Sequence, residues 1–242
     1  MIAMTADAQD YDIIGIIARS PWFEGLPAKA HEQLAEAARI RSYRKNSYLY
    51  RVGESSSDLY CILSGRIRLL LSSALGQEYA ITDLEPNEWL GEQFLAIERA
   101  TMIDARINEA ATVLVIRRAA VLSVGDQHPE MYKKLFVQNI LRSQGIYLLL
   151  LGMAFYPLRS RLAGRFLALI EEHGQKEDEG VYLDVHLSQN DFAQLSLGSR
   201  QRINKILSEW RERGILEIQS SRYLIRDAVA LQKETELKDD DD

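Results

Sequence analysis

The spacing of the apolar residues changes twice along the chain, and these two changes constrain the fold more than any other feature. Residues 11–38 read as helical. "YDIIGIIARS" is apolar at Ile13, Ile14, Ile16 and Ile17, "SPWFEGLP" breaks the pattern, and "AKAHEQLAEAARI" resumes it at Ala30, Leu34 and Ala38. From 39 to about 117 the runs are short and each is closed by a turn signal. "SYLYRV" ends at Gly53-Glu54, "DLYCIL" at Ser64-Gly65, "RIRLLLS" near Gly76, "EYAITDL" at Glu85-Pro86-Asn87, and "ATVLVI" at Arg117. Short strands at such spacing predict a β-sandwich or a barrel-like roll. Around Ala119 the period becomes helical again.

Pro129 suits a first helical turn, and "EMYKKLFVQNILRSQGIYLLLLGMAFY" follows it. Met131, Leu135, Asn139, Arg142, Ile146, Leu149 and Met153 trace one stripe with steps of three and four, as expected of a long helix packed on another helix. Pro157 removes a donor and biases Tyr156 away from helix, so the helix ends there. A second helix, "LRSRLAGRFLALIEEHG", stops at Gly174, and "QKEDEG" reads as a solvated loop. A short strand in "GVYLDVHLSQ", two helices in "SQNDFAQLSLGSRQRINKILSEWRERG" and a hairpin in "ILEIQSSRYLIRD" complete the segment. "KETELKDDDD" has the composition of a disordered tail. The fold class is α+β.

The 242 residues suffice for two ordinary domains, and 47% apolar content suits real cores. The densest apolar run, "IYLLLLGMAF", is about half of the roughly 18 residues a membrane span needs. The acidic opening "MIAMTADAQDYD" does not resemble a signal peptide, and Cys61 has no second cysteine to bond within the chain. A soluble cytoplasmic protein without a membrane partner is expected. The net charge is −6, yet Ser196–Arg226 carries seven arginines and lysines against three glutamates. That asymmetry points to an anionic partner for this segment.

Ser188 and Asp191 form an S-x-x-D start signal for the first of the two C-terminal helices. Phe192, Leu195, Ile203, Ile206, Leu207 and Trp210 supply inward faces, Ala193 permits close approach, and "SLG" is the turn. Ser199 caps the second helix, whose outward N-terminal face carries Arg200, Gln201 and Lys205. In a helix-turn-helix that end enters the major groove of double-stranded DNA, where Arg pairs with guanine and Gln with adenine. Ser199, Arg202 and Asn204 suit phosphates or support, and a hairpin bearing Arg222 and Arg226 makes a wing against the backbone. An incidental basic face on a solvated helix is the competing reading; the order cap, helix, turn, basic helix, hairpin argues against it.

These motifs together resemble the CRP/FNR family of bacterial transcription regulators over about residues 20–230. "SPWFEGLP" is similar to the family's Pro-x-Phe-x-Gly-Leu opening. "YRVGESSSDLYCILSGRIRLLL" resembles its β-roll signature, with Gly53 and Gly65 at the turns. "LEPNEWLGE" stands where the family has Leu-x-Pro-Gly-Glu-x-Phe-Gly-Glu, and "GSRQRINKIL" with "RERGIL" is similar to its recognition helix. The resemblance implies a cyclic-nucleotide-binding-like β-roll (jelly roll) sensor over 11–128 and a dimerisation helix over 129–156. It further implies a winged helix-turn-helix over 157–230 and an acidic tail over 231–242. The expected function is a homodimeric, sequence-specific regulator on a palindromic promoter site, acting with RNA polymerase. No catalytic residue is expected, and the absence of His from 45–116 argues against a cupin enzyme. A regulatory subunit that binds cyclic nucleotide but no DNA is disfavoured by the helix-turn-helix.

The effector site carries the largest departures. Gly91 and Glu92 open "GEQFLAIERATMIDA" as in a phosphate cassette, but Thr101-Met102 stand where cyclic-nucleotide sensors carry Arg-Ser. Ile146-Tyr147 occupy helix positions where those sensors place Thr-Ser. A cyclic phosphate buried without the arginine is poorly compensated, so cyclic AMP is not the expected effector, and the region binds a different small molecule or none. A cyclic-nucleotide-responsive activator with a divergent cassette is the alternative. Glu92 can pair with Arg142 as a latch, or the two form an ordinary surface ion pair; Arg99 is a substitute anion contact or a solvated loop residue. A lone Cys61 argues against an iron–sulfur cluster and leaves only an intermolecular disulfide. His31, His128, His173 and His186 lack paired spacing, which argues against haem and gives no metal site. Two local changes stand out: Asn87 replaces a turn Gly, and Leu197 precedes Gly198 where the family has Gly first.

Overall fold

The computed structural model describes residues 11–54, 58–73, 76, 78–96, 99–185, 187–219 and 222–236. The chain divides into two compact units, Met1–Ile146 and Tyr147–Asp242.

The first unit opens with helices α1 (Ile13–Ala18) and α2 (Ala28–Ala37). The break between them places Trp22 and Phe23 in the core, with ring centroids 5.7 and 5.2 Å from that of Trp89. Six strands follow: β1 (Ala38–Tyr43), β2 (Tyr48–Tyr50), β3 (Asp58–Ser72), β4 (Glu78–Leu84), β5 (Trp89–Leu90) and β6 (Asp104–Arg117). Short α3 (Gln93–Ala96) precedes β6, and α4 (Arg118–Gln127) follows it. All pairings are antiparallel, in the order β1-β6-β3-β4, with β2 on β6 and β5 on β3. "DLYCIL" and "RIRLLLS" are not two strands, as the turn signal suggested, but one 15-residue strand, β3. Its pairing with β6 slips between Ile62 and Ile67, so Gly65 marks a bulge rather than a turn. Gly65 sits at φ 82°, and a Cβ there would lie 2.2 Å from the Ala110 carbonyl oxygen, so no larger residue fits. The expected tolerance at Asn87 is realised at φ 75°.

Two apolar clusters flank the sheet. Tyr50, Tyr60, Ile67, Leu69, Phe94 and Ile107 belong to one, and Ile17, Leu34, Cys61, Val121, Met131 and Leu135 to the other. Cys61 is fully buried, and burial pushes its thiol up to about 12. Arg68 on β3 is also fully buried and holds Asp83 on β4 through two bonds of 2.6 and 2.7 Å. Such a pair is satisfied only because the fork geometry matches the carboxylate.

The long helix is α5 (Glu130–Phe155). Its stripe is buried only at its start. Met131 and Leu135 are buried in the first unit's own core, and Arg142 is half-buried, whereas Asn139 is exposed. A second, exposed row carries Val137, Leu141, Leu148, Leu151 and Phe155, at 45–69% exposure. Its steps of four, seven, three and four are those of a coiled-coil seam. Met131 and Leu135 of the first stripe thus serve packing within the unit, whereas its Ile146 and Met153 are exposed like the row beside it.

The second unit adds α6 (Leu158–His173), β7 (Gly174–Glu177), β8 (Gly180–Leu183), α7 (Gln189–Leu195), α8 (Arg200–Glu212), β9 (Leu216–Gln219), β10 (Arg222–Ile225) and α9 (Ala228–Lys233). Its sheet has the order β7-β8-β10-β9. "QKEDEG" is therefore a hairpin and not a loop: Lys176 pairs with Val181 and Glu177 with Gly180. Phe166, Phe192, Trp210 and Tyr223 form the core, Phe166 stacked on Phe192 at 4.4 Å. Each such ring stabilises the unit by about 1.5–3 kcal/mol.

The charged C-terminal stretch is ordered through Glu236, contrary to its composition, while 237–242 lie outside the described residues. Glu234 is the reason. Its carboxylate accepts from Trp210 Nε1 at 3.0 Å, Arg213 Nη1 at 2.7 Å and Arg159 Nη1 at 3.1 Å. Burial raises its pKa, but these donors win and hold the carboxyl below its usual 4.5.

Candidate functional site

The helix-turn-helix is built from local signals. Ser188 and Asp191 close a full capping box on α7: Ser188 Oγ accepts from Asp191 N, and Asp191 accepts from Ser188 N at 2.8 Å. Ser199 Oγ accepts from Arg202 N at 3.3 Å and starts α8. Ile203, Ile206, Leu207 and Trp210 turn inward, while Arg200, Gln201, Arg202 and Lys205 are exposed around the N-terminal half of α8. Asn204 is half-buried, with an Oδ1 that meets no partner. The structure thus gathers all the expected α8 residues at one helix end but turns Asn204 partly inward.

The turn is a Schellman motif. Leu197 N donates to Gln194 O at 3.4 Å, Gly198 N donates to Ala193 O at 2.9 Å, and Leu197 occupies the left-handed position at φ 56°. Glycine usually sits there. Here the glycine stands one place later, because a Cβ on Gly198 would fall 2.5 Å from Leu158 Cδ1. Arg161 of α6, not singled out by its sequence, donates to the turn carbonyls of Ser196 at 3.0 Å and Leu197 at 3.1 Å. Burial first, and then the nearby Arg202 charge, lower its pKa from the usual arginine value.

In the wing, Arg222 lies 5.7 Å from the Tyr182 ring centroid and reaches its hydroxyl at 3.4 Å. Arg226 pairs with Glu217 at 2.6 Å and Glu179 at 2.9 Å. A groove of about 350 Å³ is lined by Ser188, Gln189, Asn190, Arg200, Ile218 and Tyr223, among others. Ser188 carries a cap signal in the sequence, but nothing there joins it to the wing.

The other candidate site lies in the first unit. Gly91 takes φ 107°, and a Cβ there would meet the Asp58 carbonyl oxygen at 2.5 Å, so glycine is required where the chain enters α3. Glu92 is buried; its Oε1 accepts from Arg142 Nη1, while Arg142 Nη2 donates to the Trp89 carbonyl at 2.7 Å. This pair is therefore not a surface ion pair on the Glu92 side. Its second oxygen, Oε2, is buried with no partner. Tyr50, missed in the sequence, is buried nearby; burial, with the Glu92 charge adding to it, pushes its phenol well above the usual range. Thr101 is buried, and its hydroxyl is occupied by both the amide and the carbonyl of Ile103, at 3.2 and 3.1 Å. Arg99 is exposed and Met102 is 83% exposed. Ile146 and Tyr147 are exposed on α5. Of the expected effector residues, Gly91, Glu92 and Arg142 come together; Arg99 and Met102 stay at the surface.

A β-roll with a buried Glu92 paired to half-buried Arg142 and a capped helix-turn-helix with a basic outer end define a DNA-binding regulator as the class. Residues 40–128 match the cyclic nucleotide-binding domain model, and residues 160–234 the Crp-like helix-turn-helix domain model. The CRP-like cAMP-activated global transcriptional regulator of Mycobacterium tuberculosis is 25% identical over 223 residues, covering 89% of this chain and 96% of the relative. The anaerobic regulatory protein of Bacillus subtilis is 22% identical over 201 residues, covering 83% and 84%. A CooA mutant from Carboxydothermus hydrogenoformans shares the fold at a TM-score of 0.74 and 18% identity, over 96% of this chain and 98% of that one. The chain belongs to the CRP/FNR family of transcription regulators.

Proposed function

We propose that the protein acts as a cytoplasmic homodimer on a palindromic DNA site, works with RNA polymerase, and responds to a small molecule other than cyclic AMP. The exposed basic end of α8 carries the DNA reading. Arg200 reads a guanine, Gln201 and Lys205 contact adjoining base edges, and Ser199, Arg202 and Arg222 hold phosphates. Asn204 supports α8 from its half-buried side. The groove beside Ser188 and Arg200 receives the DNA backbone. The apolar row of α5 meets its copy, since two recognition helices must lie one DNA turn apart. No helix among the described residues is long and apolar enough to cross a membrane, which is compatible with this reading.

Gly91, Glu92 and Arg142 form the effector site, and the orphaned Glu92 Oε2 suits a ligand with a hydrogen-bond donor. The remaining candidates of the first unit are Thr101, which is buried, and Arg99, Met102 and Ile146, which are exposed. No cation stands at 101 or 102 to balance a buried cyclic phosphate. The second reading, a cyclic-nucleotide-responsive activator, is favoured by the retained Gly91-Glu92 and by the relative named as cAMP-activated. Direct titration with cyclic AMP separates the two.

The test is fluorescence anisotropy on a palindromic duplex selected from random-sequence DNA by the purified protein. Arg200→Ala should cost about 1–3 kcal/mol of specific affinity and relax selection at one base pair. Arg202→Ala should weaken all duplexes alike and flatten the salt dependence. Unchanged base preference in Arg200→Ala would sink the α8 assignment.

A further inference from the structure

Arg161 makes a third bond besides the two to the turn. Its Nη1 donates to the carbonyl of Tyr156 at 2.6 Å, while Nε and Nη2 hold Ser196 O and Leu197 O. Tyr156 is the last residue before Pro157, and Ser196 is the C-cap of α7. Pro157 has no amide hydrogen, and the last carbonyls of a helix have no partner inside it. One guanidinium, half-buried in α6, thus terminates both α5 and α7. A cation at two helix C-termini also meets two negative dipole ends.

The element it pins is strained. Leu197 holds a left-handed conformation that an L side chain disfavours, and Gly198, the residue able to adopt it freely, is fixed by the approach of Leu158. Two residues later the chain enters α8 at Arg200, so the direction of α8 depends on this turn.

We propose that Arg161 is a positioning residue for DNA recognition: it holds the strained Ser196–Leu197 turn, and hence the reading end of α8, in register with the end of α5 at Tyr156. It acts through the turn rather than as a DNA contact: three of its five N–H donors, one on each nitrogen, are spent on carbonyls. A change in the chain path at Tyr156–Pro157 is thereby transmitted to the turn through one side chain. The inference rests on α8 being the reading helix.

Arg161→Lys keeps the charge but cannot span three carbonyls. On the selected palindromic duplex it should lose ten-fold or more in affinity, while affinity for a random-sequence duplex changes less than two-fold and the salt slope stays the same. Adding Leu197→Gly should recover at least five-fold, because the turn then holds its shape without the clamp; Leu197→Gly alone should change affinity less than two-fold. Equal loss on both duplexes with a shallower salt slope would make Arg161 a phosphate contact and overturn the proposal. So would failure of Leu197→Gly to rescue. Should that variant fold poorly, Arg161→Gln carried on the Leu197→Gly background gives the same comparison. Arg200→Ala run alongside reports separately on α8: if it retains base preference, the reading helix is wrong, whatever Arg161 does.

Discussion

Glu234 shows how one carboxylate can decide where a domain ends. Three donors from α6, α8 and its C-terminal cap converge on it and tie the segment after α9 to the core. Its folded pKa lies below 4.5, so its contribution to stability is complete above the unfolded value and is lost as pH falls through the lower folded value. Glu234→Gln should therefore lower the melting temperature of the second unit at pH 7, and its difference from the parent should shrink as pH falls below the unfolded value of 4.5, in a thermal melt series across pH. Truncating a buried charged partner costs about 3–5 kcal/mol, and Gln retains part of the hydrogen bonding, so a smaller loss at neutral pH is expected. None of this was legible beforehand. Glu234 sits in a run of charges, and composition assigns such a run to solvent; only the approach of Arg159 and Trp210, distant in sequence, reverses that. The caps were legible for the opposite reason. Ser188, Asp191 and Ser199 act within three residues of themselves, so spacing alone specifies their bonds.

Helix α5 carries two apolar rows, and the sequence supports only one of them at a glance. Met131 and Leu135 belong to the first unit's core, and Val137, Leu141, Leu148, Leu151 and Phe155 remain exposed. With more than half of its residues apolar, the helix satisfies several stripes at once, so periodicity reported a helix but not which face met what. The same ambiguity merged two apparent strands into β3, because a bulge at Gly65 and a turn at a glycine look alike in one dimension. The inward face of α8 at Ile203, Ile206, Leu207 and Trp210 was legible because that helix is sharply divided between basic and apolar sides. For the exposed row the expectation is direct. Leu148→Glu with Leu151→Glu should leave each unit folded and raise the dimer dissociation constant by at least a hundred-fold, about 3 kcal/mol, measured by sedimentation velocity across concentration.

The whole molecule joins a family architecture to a first unit with Thr101 and Met102 where an arginine is expected of a cyclic-nucleotide sensor. The order of motifs along the chain made the architecture legible; the chemistry of the effector site was not, because it depends on Glu92 being buried and on which of its oxygens Arg142 takes. Calorimetric titration of the intact protein with cyclic AMP should give no saturable heat up to about 1 mM, a limit corresponding to roughly −4 kcal/mol. Saturable binding in the micromolar range would favour the divergent-cassette reading instead. The protein carries −6 overall, yet the residues from Ser196 to Arg226 are net basic, so the repulsion felt by DNA is relieved at this segment. Cys61, the single cysteine, is fully buried with its thiol held up to about 12. A maleimide therefore finds little native thiolate to attack, and a cysteine engineered at the wing or at α8 would be labelled alone. The natural chain already serves as its own cysteine-less background, so distance measurements between dye-bearing protomers need no prior removal of a core residue.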